Sequence, residues 1–109
     1  MQEITTVDQA DRVMEEGTAV LFKHNPTCPI SARAHQEMSA LEQQHPDAHI
    51  YLVDVLGSRE VSNHVAERTG ITHESPQTIV FSGGRPVYDA SSFGITADEV
   101  AEHLASAGE

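Results

Sequence analysis

The chain has 109 residues, which is enough for one hydrophobic core and too few for two. It is 39% hydrophobic and 21% charged, and no apolar run approaches the roughly 20 residues that a membrane helix needs, so we expect neither a membrane partner nor a disordered chain. Six Lys and Arg against 17 Asp and Glu give a formal net charge of -11, which argues against nucleic acid as a partner and indicates a highly solvated or salt-adapted surface.

The first two thirds of the chain alternate between helical and strand patterns. A capping box at Thr6 opens the first helix, and Gly17 and Gly70 end the first and third. The apolar run at 19–22 predicts a strand covered on both faces. Together the patterns predict a helix at 6–16, a strand at 19–22, a helix from Thr27 or Cys28 to about Gln44, a strand at 50–55 and a helix at 58–69.

The last third predicts a hairpin and a helix. Strands at 78–81 and 87–90 flank Gly83-Gly84, which suits a two-residue turn, and Pro86 places the last strand at a sheet edge. A capping box at Thr96 opens a terminal helix with Val100, Ala101, Leu104 and Ala105 facing inward. The order αβαβαββα predicts an α/β fold with a four-stranded mixed sheet flanked by helices.

The N-terminal residues 1–6 lack the basic patch, the long apolar stretch and the cleavage site of a secretory signal. We therefore expect a cytoplasmic protein.

Cys28 is the only cysteine, so a disulfide within the chain is impossible. It lies between a predicted strand and a predicted helix, where open α/β sheets place their ligand crevice. If Cys28 lies in the first helical turn, the free N–H groups there stabilise its thiolate. Pro29 suits the helix start because it has no N–H to leave unpaired. The alternative is a buried, inert cysteine.

Ser31 stands three residues after Cys28, where a dithiol enzyme would carry a second cysteine. Its hydroxyl can bond the thiolate but cannot form a disulfide, so the pattern predicts a monothiol C-x-x-S site that an external thiol regenerates. The alternative is a plain helix-surface serine.

Ser75-Pro76 precedes a predicted strand, and X-Pro bonds have a cis frequency of about 5 to 6%. A cis bond would expose the backbone of Ser75 to an incoming disulfide, which could pair with it as a strand.

These motifs and the element order resemble the thioredoxin fold over a single domain, residues 1–109. More narrowly, the sequence resembles the YtxJ-type monothiol bacilliredoxin family. The resemblance rests on FKH at 22–24, TCPIS at 27–31, VSN at 61–63, HESPQ at 73–77 and ASSFGIT at 90–96. At Phe93 this sequence departs from the tryptophan typical of the family.

The resemblance implies a thiol-disulfide oxidoreductase that removes bacillithiol, a low-molecular-weight thiol, from S-bacillithiolated client proteins. Cys28 would be the catalytic nucleophile, assisted by Ser31, and Pro76 would be the cis-proline. Thr27, Pro29 and Ser75 would line the substrate site. The family implies no bound cofactor, since bacillithiol is a co-substrate, and we expect a monomer or weak dimer.

Two cations are candidate ligands for the carboxylates of bacillithiol. Lys23 ends the first long strand, where similar monothiol glutaredoxins hold a substrate-binding lysine, although a solubilising strand-end charge is an equal alternative. Arg59 opens the third helix and is the weaker candidate.

Two other function classes stay open at this point. One is a carrier that shares an iron–sulfur cluster through Cys28 and a small thiol, although Pro29 and Ile30 depart from the C-G-F-S loop of such carriers. The other is a redox-silent binding domain. His24 and Cys28 could be two metal ligands, but scattered surface histidines better explain the seven histidines, and no metal is expected.

Overall fold

Strands and helices alternate along the chain in the computed structural model, which describes residues 1–107. The strands are β1 (Gln2–Glu3), β2 (Thr18–His24), β3 (Ile50–Asp54), β4 (Gln77–Ser82) and β5 (Arg85–Ser91). The helices are α1 (Val7–Glu15), α2 (Pro29–Gln44), α3 (Arg59–Thr69) and α4 (Ala97–Ala107), with a 3-10 turn at Ser92–Gly94.

The sheet has the strand order β1-β3-β2-β4-β5, in which β1 and β2 run parallel to β3 while β4 runs antiparallel to β2 and β5. The expected α/β architecture is confirmed, but the count of four strands is wrong. The fifth strand, β1, has two exposed residues and therefore shows no alternation of burial by which a sequence pattern could reveal it.

The register places three chain segments at one end of the sheet. Lys23 pairs with Gln77 across the antiparallel β2–β4 contact, and His24 pairs with Asp54 across the parallel β2–β3 contact. The carboxyl ends of β2 and β3 therefore meet the start of β4. This end carries the loop to Cys28.

Both faces of the sheet are covered, which explains the continuous apolar run in β2. Ala19 and Leu21 belong to a core that includes α1 and α3 residues, whereas Val20 and Phe22 belong to a core that includes α2 and α4 residues. Because alternate side chains enter opposite cores, no position in the run can be polar without a buried partner.

The hairpin between β4 and β5 follows the turn chemistry of its glycines. Gly83 and Gly84 have φ of 62° and 84°, in the left-handed region that glycine enters without steric cost. Pro86 lies in β5, which is an edge strand as expected, and a register shift lies opposite it between Val80 and Phe81.

Two helices, α1 and α4, begin after the N-cap residues that the sequence predicts. Thr6 and Gln9 form the reciprocal capping box of α1, with Gln9 N donating to Thr6 Oγ1 at 3.1 Å. Thr96 Oγ1 accepts from Glu99 N at 3.3 Å at the start of α4. One inward position is wrong, because Ala105 is exposed. In the part of the chain that the structure describes, no helix combines the length and apolar character needed to cross a membrane.

Candidate active site

Cys28 is the N-cap of α2 and not part of its first turn, which corrects the expected start of that helix at Thr27 or Cys28. Its backbone is extended, with φ of -107° and ψ of 124°. The cause is Pro29 at the first helical position, since a proline ring disfavours helical geometry in the residue before it. Cys28 is partly exposed, and its side chain makes no capping hydrogen bond to the N–H groups of the first turn.

The loop before Cys28 is ordered by Asn25. Its side-chain Oδ1 accepts from Thr27 N at 3.0 Å and from Thr27 Oγ1 at 2.8 Å, and its carbonyl accepts from Cys28 N at 3.1 Å. The Cys28 carbonyl then accepts the first helical bond, from Ala32 N at 3.0 Å. Thr27 and Pro29 are exposed on either side of the cysteine.

Ser31 is fully buried, so the reading as a surface serine is wrong. Its Oγ accepts from Asn25 N at 2.8 Å and lies 2.8 Å from His24 Nδ1. The hydroxyl is thus directed to the end of β2 and to the loop in front of Cys28. It positions that loop instead of bonding the cysteine sulfur.

A small aromatic group packs behind the loop. The ring centroids of His24 and His35 lie 5.0 Å apart, and the Phe22 ring lies 5.4 Å from that of His24 at an interplanar angle of 32°. Burial, and to a lesser degree the charge of His35, lowers the pKa of His24, which favours the neutral imidazole near pH 7. The expectation of scattered surface histidines is therefore wrong for His24, whose ring belongs to the site.

Lys23 is completely buried, so the alternative of a solubilising strand-end charge is wrong. Its Nζ donates to the carbonyl of Ser62 at 3.0 Å and to His73 Nδ1 at 3.2 Å. Burial lowers the pKa of Lys23 to about 8. Direct contact between Lys23 and a substrate carboxylate stays a prediction, and it would require His73 to move aside.

A cavity of about 370 Å³ opens beside the Cys28 loop. It is bounded by Asn25 from that loop, by Arg59 from α3, and by His73 and Ser75 from the segment before β4. Two predicted substrate-site residues, Arg59 and Ser75, are therefore brought together with the loop that carries Cys28. The other predicted site residues do not line this cavity: Lys23, Thr27, Cys28, Pro29, Ser31 and Pro76.

The Ser75–Pro76 peptide bond is cis, as the resemblance implies. Pro76 is buried, and its carbonyl accepts from Ser92 N at 3.1 Å. The Oγ of Ser75 is buried and has no hydrogen-bond partner among residues 1–107. The register of β4 against β2 places this segment at the sheet end that leads to Cys28.

Phe93 lies in the 3-10 turn and is 63% exposed. The guanidinium of Arg33 from α2 lies 5.4 Å from its ring centroid, within the range of a cation–π contact. The Phe93 ring thus packs on α2, the helix that begins next to Cys28.

Sequence reasoning did not assign roles to Asn25 and His73. Asn25 follows the FKH motif at 22–24, and His73 opens the HESPQ motif at 73–77. Their positions in the sequence therefore indicated that they lie near the site. Their contacts with Thr27, Lys23 and Ser62 join segments far apart in sequence, and no local pattern encodes those distances.

The comparisons with known proteins agree with this geometry. Residues 2–100 match the family described as monothiol bacilliredoxin BrxC. A solved structure described as an inferred oxidoreductase with a thioredoxin fold has a TM-score of 0.87 and 29% identity, over 93% of this chain and 90% of its own.

Two thioredoxins share the fold at lower identity. Mitochondrial thioredoxin 3 from Saccharomyces cerevisiae has a TM-score of 0.75 at 14% identity, covering 97% of this chain and 94% of its own. A mutant thioredoxin from Halobacterium salinarum has a TM-score of 0.77 at 16% identity, covering 99% and 90%. With a partly exposed lone cysteine at the start of α2, the chain belongs to the monothiol bacilliredoxin family, and it is a thiol oxidoreductase with the thioredoxin fold.

Proposed function

We propose that this protein removes bacillithiol from S-bacillithiolated client proteins through Cys28. The observation that carries the proposal is the placement of the lone cysteine. It is partly exposed at the N-cap of α2, at the end of the sheet where the Ser75–Pro76 segment begins β4. Family membership supports a thiol-exchange reaction at this cysteine.

The first step is a thiol–disulfide exchange. The Cys28 thiolate attacks the bacillithiol sulfur of the mixed disulfide, a new S–S bond forms between them, and the client cysteine leaves as a thiolate. The attacking form is the thiolate, because a thiol is a far weaker nucleophile. No net oxidation occurs, because one disulfide replaces another.

The second step regenerates the enzyme. Ser31 has no sulfur with which to resolve the adduct, so an external thiolate must attack the bacillithiol sulfur and release Cys28. A second bacillithiol molecule would leave as bacillithiol disulfide. A cytoplasmic location, where such a thiol pool is reduced, belongs to this proposal.

Client proteins would dock next to Ser75. The ladder hydrogen bonds of β4 begin at Gln77, and the backbone groups of Ser75 make no backbone hydrogen bond within the described residues. An extended client segment could pair with these free groups and so align its disulfide with Cys28.

Intact-protein mass spectrometry tests the proposal. The reduced protein is mixed with bacillithiol disulfide, and peptide mapping locates the adduct. We expect one bacillithiol per chain on Cys28 and none in Cys28→Ser. A wild-type protein that stays unmodified, while a free cysteine peptide reacts under the same conditions, would reject the function.

A further inference from the structure

We propose that the cavity beside the Cys28 loop is a carboxylate site for the thiol ligand, in which Arg59 and His73 bind the carboxylate directly. Lys23 acts from behind as a positioning residue that holds the tautomer of His73. The inference rests on the proposed function and adds the site that selects acidic low-molecular-weight thiols.

The lining of this cavity differs in charge from the rest of the molecule. The chain has a net charge of -11, and each of four other cavities has at least one Asp or Glu in its wall. The cavity beside Cys28 has none, and its polar wall includes Arg59, His73, Asn25 and Asn63. An acidic surface thus contains a local site suited to an anion.

Lys23 adds an uncompensated charge directly behind this wall. Within residues 1–107 no carboxylate lies within ion-pair distance of its Nζ, whose partners are a carbonyl and an imidazole. Removing an ammonium from water without a counter-ion is costly, as the lowered pKa of Lys23 shows. An anion bound in the cavity would offset part of that cost.

His73 connects the buried charge to the cavity. His73 Nδ1 lies 3.2 Å from Lys23 Nζ and 3.1 Å from Ser62 Oγ. Because an ammonium group can only donate, the contact with Lys23 makes Nδ1 an acceptor and puts the ring proton on Nε2, whereas Ser62 Oγ alone could bond either tautomer. Burial, followed by the charges of Lys23 and Arg59, lowers the pKa of His73 despite the opposing effect of Glu74, which favours the neutral ring required by this bond. The imidazole thus presents a polarised Nε2–H on the side opposite Lys23.

Asn25 relates the cavity to the reactive sulfur. It lines the cavity, and its carbonyl accepts from Cys28 N at 3.1 Å. Cys28 does not itself line the cavity, so a small thiol attached to its sulfur would extend past Asn25 to place its acidic end between Arg59 and His73. The chemical class selected is a low-molecular-weight thiol that bears a carboxylate several bonds from its sulfur.

The test compares two mixed disulfides of one client peptide, one with bacillithiol and one with uncharged 2-mercaptoethanol. Arg59→Gln and His73→Ala should each slow transfer of bacillithiol about tenfold, since a charge-assisted hydrogen bond is worth about 1.5 kcal/mol or more. In the same two variants, the rate of mercaptoethanol transfer should change by less than about twofold. Arg85→Gln, which changes an exposed arginine of the hairpin, is the matched control and should alter neither rate.

The role of Lys23 in setting the His73 tautomer is tested with Lys23→Met, by a measurement that a general loss of stability would not change. In the wild type we expect the ring-nitrogen NMR shifts of His73 to report the Nε2–H tautomer, and in Lys23→Met a mixture of both tautomers. The variant should also lose the preference for bacillithiol over mercaptoethanol. An unchanged tautomer and an unchanged preference would reject the role of Lys23.

The outcomes separate the site from the enzyme activity. If Arg59→Gln and His73→Ala transfer both thiols at wild-type rates, or lose both equally, the carboxylate site is wrong while the proposed function stands. If even the wild type transfers neither thiol, the function fails. Titration of Cys28→Ser with malate, followed by amide shifts of Asn25 and His73, then still decides the site, since absent shifts would overturn it.

Discussion

At the scale of single residues, Ser31 has a structural task at the position where a dithiol enzyme would carry its second cysteine. Its hydroxyl is buried and joins Asn25 N to His24 Nδ1. We predict that Ser31→Ala lowers the free energy of unfolding by about 1–3 kcal/mol, because two partly buried polar groups lose their partner. Urea denaturation followed by circular dichroism measures the change.

Ser106→Ala is the control for this substitution, since it changes an exposed serine of α4 and should alter stability by less than about 0.5 kcal/mol. Equal stability of Ser31→Ala and the wild type would show that the buried hydroxyl does not hold the loop.

Lys23 should give stability a distinct pH dependence. Its pKa in the folded protein is about 8, below its ordinary value of 10.5, so between these values the unfolded chain binds more protons. The free energy of unfolding therefore rises as the pH increases from about 8 to 10.5. Relative to Lys23→Met, we predict that the wild type gains about 2 kcal/mol between pH 7 and 9.5. Denaturation of both proteins across this range tests it, and parallel pH profiles would contradict it.

The roles of these residues were only partly predictable. Cys28 follows from its position between strand and helix, because that position depends on local patterns. The burial of Lys23 does not follow, since its partners Ser62 and His73 lie 39 and 50 residues away in sequence. A lysine at a strand end resembles a solvent-exposed charge until the contacts around it are known.

At the scale of elements, turn chemistry determines the hairpin. Gly83 has φ of 62° and open space around its Cβ position, so alanine there would be strained by conformation alone. We predict that Gly83→Ala lowers the unfolding free energy by about 1–2 kcal/mol. Gly17→Ala is the control, because Gly17 lies outside the positive-φ region and has equal space. Thermal denaturation compares them, and equal melting temperatures would refute the argument.

The elements that were predicted well have strong local signals. The capping box at Thr6, the left-handed Gly70 and the Gly83-Gly84 turn each require particular backbone geometry. The predictions of secondary structure were wrong where the sequence pattern is very short or where one residue restricts the backbone of its neighbour. β1 has two exposed residues, and the start of α2 depends on how Pro29 restricts Cys28.

At the scale of the whole molecule, the net charge of -11 should oppose folding by self-repulsion. Salt screens repulsion between exposed charges, since the Debye length falls from about 10 Å at 0.1 M to about 3 Å at 1 M. We predict that the melting temperature rises by several degrees between about 0.05 and 1 M sodium chloride, as seen by calorimetry. A melting temperature that falls over this range of salt would mean that attraction within ion pairs affects stability more than the repulsion between like charges.

The most direct test of the account follows a bacillithiolated client protein and this enzyme together, by quenched intact-mass measurements over time. We predict that bacillithiol mass leaves the client at the rate at which it appears on Cys28, and that Cys28→Ser leaves the client modified. Release of the client without a transient adduct on Cys28, or release by Cys28→Ser at the wild-type rate, would contradict the account.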